Sequence, residues 1–226
     1  GHGVELLLAQ VVVGLLEQQV DLAAEGGEFF RQLGVGEAAL GAEMRYTIYL
    51  PDGYEAGRLH YPVLYLLHGN GGNENEWLVS GQVQPTVDGL IHGGKVPPFI
   101  IVMPGGGSSW WVDGNKDRME AALIKELIPH IDASFRTIST RDGRMIAGLS
   151  AGGFGTVNAV FKYPELFAAS AALSPAIYSP APPSHSSAMR VAPFQKDGKF
   201  DQASWDRLNY TANLDAGVVA SLINPA

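Results

Sequence analysis

One serine stands where this chain could do chemistry. In the run Arg144-Met145-Ile146-Ala147-Gly148-Leu149-Ser150-Ala151-Gly152-Gly153-Phe154-Gly155, the order Gly148-x-Ser150-x-Gly152 has the spacing of a nucleophile elbow. Such an elbow is a sharp turn between a buried strand and a helix. It drives the serine backbone toward positive φ and presses strand against helix, so the flanking positions must lack a Cβ. The geometry exposes the hydroxyl and aims the first backbone N–H groups of the helix at one point. The chain holds 28 glycines, enough for the spacing to arise by chance, so context decides.

The context fits. Met145-Ile146-Ala147 is a short apolar run suited to a buried strand. Phe154, Val157, Ala159, Val160 and Phe161 suit a helix that stops before Pro164. Upstream, Met44 to Leu50 alternates as a strand should and ends at the turn signal Pro51-Asp52-Gly53. Tyr61 to Leu67 is a continuous apolar run, as in a central parallel strand, and leads into His68-Gly69-Asn70-Gly71-Gly72. Val83 to Ile91 reads as a helix. Phe99 to Met103 reads as a strand ending at Pro104-Gly105-Gly106-Gly107, and Met119 to Phe135 as a helix kinked at Pro129. Ala168 to Leu173 makes a further strand. Strands alternating with helices give an α/β fold with a mainly parallel sheet covered by helices on both faces. Ligand sites of such sheets lie beyond the carboxyl ends of the strands, where His68-Gly69, Gly105 to Gly107 and Ser150 all fall.

Ser174 to Pro193, rich in proline and serine, reads as a loop that forms a lid or a pocket wall. Trp205, Leu208, Leu214, Val218, Val219 and Leu222 suggest one or two closing helices. Leu6 to Leu16 is read as a helix with one apolar face rather than a signal-peptide core, because it lacks a cationic lead and is followed by Glu17. Residues 17–43 have no clear period. The expected organisation is an N-terminal helical or irregular extension over 1–41 and one catalytic-type domain over 42–226.

Composition narrows the function classes. The 226 residues are 46% hydrophobic with a formal net charge of −8 and no basic cluster, which argues against nucleic-acid or anionic-membrane partners. There is no cysteine, so disulfides, thiol nucleophiles and cysteine-bound metals are excluded. No apolar run approaches the ~18 residues that cross a bilayer. The histidines at 2, 60, 68, 92, 130 and 185 never fall at metal-ligand spacing, and nothing calls for a metal or cofactor.

Taken together, Leu50-Pro51-Asp52-Gly53-Tyr54, Tyr61 through Gly69, Asn73-Glu74-Asn75-Glu76-Trp77, Val102-Met103-Pro104 and Ala147 through Gly155 resemble the esterase D family of α/β-hydrolases. The likeness is greatest to its feruloyl and acetyl-xylan esterase branch and covers residues 42–223. The resemblance implies a secreted serine carboxylesterase acting through an acyl-enzyme on small-molecule or polysaccharide-linked esters. Ser150 would be the nucleophile, activated by a histidine that a carboxylate orients. The oxyanion hole would use the N–H groups of Ala151 and Asn70. His68 invites assignment as the base, but in this family the position shapes the loop, so His68 and Gly69 are expected to help form the substrate site. Trp110 and Trp111 could stack on an aromatic acyl group or a sugar, and one of the two is expected to line the site.

The chain departs from the family in one respect. The family order is serine, acid, histidine. Here the only histidine after Ser150 is His185, and Asp197, Asp201, Asp206 and Asp215 all follow it. The expectation is that the triad acid and base lie beyond residue 226, with the C-terminal strands of the fold. The competing readings are an acyltransferase on the same fold and a carbohydrate-binding relative that has lost its triad.

Overall fold

Burial turns the apolar runs into a sheet. The computed structural model describes residues 2–17, 30–35, 39–114 and 118–214. In chain order its elements are α1 (His2–Glu17), β1 (Phe30–Val35), β2 (Met44–Tyr49), β3 (Val63–Leu67), α2 (Glu76–Val79), α3 (Val83–His92) and β4 (Ile100–Pro104). There follow α4 (Met119–Ala121), a π-helical turn (Ala122–Leu127), α5 (Ile128–Ser134), β5 (Arg144–Leu149), α6 (Ala151–Lys162) and β6 (Ala169–Leu173). The short strands β7 (Gln195–Lys196) and β8 (Lys199–Phe200) form a hairpin before α7 (Gln202–Leu208). The main sheet has the order β1-β2-β4-β3-β5-β6. β3 runs parallel to β4 and β5, β5 parallel to β6, and β2 antiparallel to both β1 and β4.

The continuous apolar strands are buried on both faces, as parallel sheets require. On one face Tyr46, Ile48, Val63, Tyr65, Val102 and Ile146 pack under Leu123, Leu127 and Ile131. On the other, Leu64, Leu66, Ile101, Met103, Met145 and Ala147 pack with Val83 and Val87 of α3 and with Leu7, Leu8 and Val11 of α1. Each fully buried aliphatic side chain contributes about 2 kcal/mol. α6 runs on until Tyr163-Pro164, where proline forbids another turn.

Two readings change. The helix near Pro129 carries a π turn ahead of the proline, so the irregularity is a wider hydrogen-bonding register within one run of helix. The stretch without a legible period contributes β1, which pairs with β2 along six residues from Phe30↔Tyr49 to Val35↔Met44. Val218, Val219 and Leu222, expected in a closing helix, lie outside the described residues.

Topology sets the site. The chain passes from β3 to β4 on one side and then returns to place β5 on the other side of β3. The strand order therefore reverses between β3 and β5, and such a switch point opens a crevice at the carboxyl ends. Leu67 of β3 lies beside Gly148 of β5 there. His68 and Ser150 follow immediately.

Candidate active site

β5 delivers Ser150 at its carboxyl end, and α6 leaves from the next residue. Ser150 has φ 56° and ψ −112°. Such a conformation costs a non-glycine residue of order 1–3 kcal/mol and persists only where the surroundings over-determine it. Here they do. The Ser150 N–H donates to Leu173 O at 3.0 Å, and its carbonyl accepts from the N–H groups of Ala176 and Phe154, each at 3.0 Å. The exit of β6 thus grips the serine backbone, a clamp that the Pro/Ser-rich sequence after Leu173 does not advertise.

The flanking glycines complete the grip. A Cβ on Gly148 would lie 2.4 Å from the Gly152 carbonyl, and one on Gly152 would lie 2.4 Å from Leu67 O and 2.6 Å from His68 O. The Ser150 side chain makes no capping bond to α6. Its hydroxyl is not spent on the helix that it precedes.

Ala151 opens α6, so its N–H has no acceptor within the helix and sits at the positive end of the helix dipole. Across the crevice, Gly69 packs against the elbow, where a Cβ would stand 3.7 Å from Ser150 Cβ. Asn70 is exposed beside it. The loop stands on the segment after β4: Gly71 N–H donates to Gly107 O at 2.9 Å. The Gly69-Asn70 loop and the Ser150-Ala151 turn therefore stand side by side at the ends of β3 and β5.

His68, Trp110 and Trp111 all lie inside the protein. His68 is 1% exposed. Its Nε2 accepts from Gly106 N–H at 2.7 Å, which puts the proton on Nδ1, and Nδ1–H donates to Gly69 O at 2.6 Å. Both ring nitrogens are committed, so His68 is a strut of the loop. Trp110 and Trp111 are also both buried, at 2% and 3%. Adjacent side chains usually diverge, but these two residues have φ 56° and 61°. The resulting turn sends both indoles inward, Trp110 among Phe154, Phe194 and Trp205 and Trp111 against His68.

Burial holds the His68 pKa below its ordinary 6.5. The unfolded chain therefore takes up a proton near pH 6.5 that the folded ring refuses. The stability His68 supplies is complete above that pH and is lost as pH falls toward the folded pKa. Thermal melting between pH 7.5 and 5 is expected to show a flatter acid limb for His68→Gln than for the wild type. Equal slopes would remove His68 as the source.

Among the described residues, neither His185 nor any aspartate after it is hydrogen-bonded to Ser150. His185 is exposed in the segment between β6 and β7, and Asp197 sits in the hairpin turn at φ 52°. Asp201 caps α7, accepting from Ser204 N–H at 2.9 Å and Ser204 Oγ at 2.6 Å, bonds that hold its carboxyl below the usual range. Asp206 accepts from Gln202 at 2.7 Å, and Asp215 lies outside the described residues. No cluster of three or more His, Asp or Glu among the described residues could hold a metal.

A family model for esterases matches residues 37–217. The chain belongs to the esterase family. This esterase-family chain is 40% identical over 143 residues to an endo-1,4-beta-xylanase/feruloyl esterase of Xylanibacter ruminicola, a match covering 59% of the chain and 20% of that relative. It is 37% identical over 147 residues to an esterase of Mycobacterium tuberculosis, covering 61% of the chain and 30% of the relative. The matches thus take in a fifth to a third of those curated relatives. A solved ferulic acid esterase superposes with TM-score 0.70 at 27% identity, covering 86% of this chain and 75% of that one. The fold is that of the α/β-hydrolase esterases, with its mainly parallel sheet and surrounding helices.

Proposed function

We propose that this chain carries the nucleophile and oxyanion hole of a serine carboxylesterase that works through an acyl-enzyme on feruloyl or acetyl esters of plant cell-wall polysaccharide. The observation that carries the reading is Ser150, held at φ 56° between β5 and α6 with an uncommitted hydroxyl. Its hydroxyl attacks the ester carbonyl, and its proton passes to a histidine base. The carbonyl oxygen becomes an oxyanion, received by the N–H groups of Ala151 and Asn70. Collapse expels the alcohol and leaves the acyl group on Ser150. Water, activated by the same base, then releases the acid.

The feruloyl preference rests on relatives named for that activity. A polysaccharide-linked substrate goes with secretion. No helix among the described residues is long and apolar enough to cross a membrane.

Incubating the full-length protein with a fluorophosphonate is expected to add one adduct, on the peptide containing Ser150. No adduct would sink the serine mechanism. Release of ferulate outpacing release of acetate from matched esters supports the feruloyl preference, and acyl transfer to an added sugar outpacing hydrolysis would replace hydrolase by acyltransferase.

A further inference from the structure

The segment after β4 holds the most conspicuous strain outside the elbow. Trp110 and Trp111 are bulky residues in consecutive left-handed conformations, φ 56° and 61°, a few residues after Gly107 at φ 53°. Large side chains avoid this region, and where they occupy it something must compensate. What compensates is a set of bonds to the other loop of the crevice. Trp110 Nε1–H donates to Asn70 Oδ1 at 2.9 Å. Trp111 Nε1–H donates to His68 O at 3.1 Å. Gly106 N–H donates to His68 Nε2, and Gly71 N–H to Gly107 O. Each indole spends its single donor on the loop that presents Asn70.

Trp110 is the pivotal one, because its other contacts lie in a different part of the molecule. Its ring meets Phe154 at 5.4 Å, Phe194 at 5.5 Å and Trp205 at 6.4 Å, all edge-to-face. Phe154 belongs to α6, four residues past Ser150, whereas Phe194 and Trp205 belong to the cap that follows β6. Ala151 and Ala176 belong to the same cluster. One side chain therefore touches the nucleophile helix and the cap with its ring while its nitrogen fixes the side chain of Asn70.

We propose that Trp110 is a positioning residue for the oxyanion hole: it fixes Asn70 relative to α6 and the cap, so that the two N–H donors on either side of Ser150 keep their spacing. This rests on the acyl-enzyme reading above. A hole is effective only when its donors already stand where the charge will develop, and a shift of an ångström is costly. Asn70 is exposed on a glycine-flanked loop, and the Trp110 bond is the side-chain anchor that ties it to the interior.

The test removes the donor and keeps the ring. In the full-length protein, Trp110 is replaced by the benzothiophene analogue of tryptophan, which lacks only the N–H, and separately by Phe (W110F). Ester turnover and the hydrogen exchange of amides 69–72 are both read. For the analogue, kcat is expected to fall about tenfold with KM within about twofold, and the loop amides to exchange faster. Trp205→Phe alters the same aromatic cluster without touching the loop, and is expected to lower the melting temperature while kcat holds. An analogue protein with wild-type kcat and wild-type loop exchange overturns the proposal, and so does an equal fall in kcat for Trp205→Phe. Should the wild type itself fail to react with fluorophosphonate, the acyl-enzyme reading fails. Exchange of amides 69–72 then still decides whether Trp110 anchors the loop.

Discussion

Replacing Ser150 by Ala is expected to reduce ester turnover by about 10⁴- to 10⁶-fold and to abolish the fluorophosphonate adduct. The size of the loss follows from what remains. On the proposed mechanism there is no acyl-enzyme without the hydroxyl, and the proposed oxyanion hole of Ala151 and Asn70 could stabilise only direct attack by water. A turnover within tenfold of wild type would mean that the nucleophile is another residue.

The same position should separate stability from activity. Ser150→Ala keeps the backbone strain, since alanine at φ 56° is no better placed than serine, and its melting temperature should match the wild type. Ser150→Gly removes the Cβ that makes the conformation costly, against a smaller loss of chain entropy. It is expected to be more stable by about 1 kcal/mol and equally inactive. Denaturant midpoints of the two variants check this. A strained residue that the fold would do better without is what a functional site looks like energetically.

Much of this arrangement was legible in the sequence because it depends on local chemistry. The elbow needs glycine at 148 and 152 whatever surrounds it, and the buried strands need apolar runs. The order of β3, β4 and β5 then brings Gly69 and Ser150 to one crevice. Other features are set by partners far along the chain. β1 follows from its pairing with β2, since Phe30-Arg31-Gln32-Leu33-Gly34-Val35 has a glycine in mid-strand and a weak alternation. The inward turn of Trp110 and Trp111 needs positive φ at two tryptophans, which no residue type there announces. His68 invites assignment as the base because of its place at a strand end. Its real partners, Gly69 and Gly106, use backbone atoms that a side-chain pattern cannot show.

Gly152→Ala is expected to damage the fold severely, costing at least about 3 kcal/mol. Its Cβ would meet Leu67 O at 2.4 Å and His68 O at 2.6 Å, both backbone atoms, so no rotamer change can make room. Either α6 must lift from β3 or β3 must bend, and β3 is the strand between β4 and β5. Gly69→Ala supplies the contrast: its Cβ would find only ordinary contact, 3.7 Å from Leu149 O and Ser150 Cβ, so it should unfold within a few tenths of a kcal/mol of wild type. Urea midpoints measure both, and a wild-type midpoint for Gly152→Ala would show that helix and strand are not in close contact at the elbow. The atoms that Gly152 touches also belong to the two residues leading into the Gly69-Asn70 loop. Any Gly152→Ala protein that folds at low temperature should therefore react more slowly with fluorophosphonate, because the displacement that accommodates the methyl group moves Ser150 away from the Asn70 N–H.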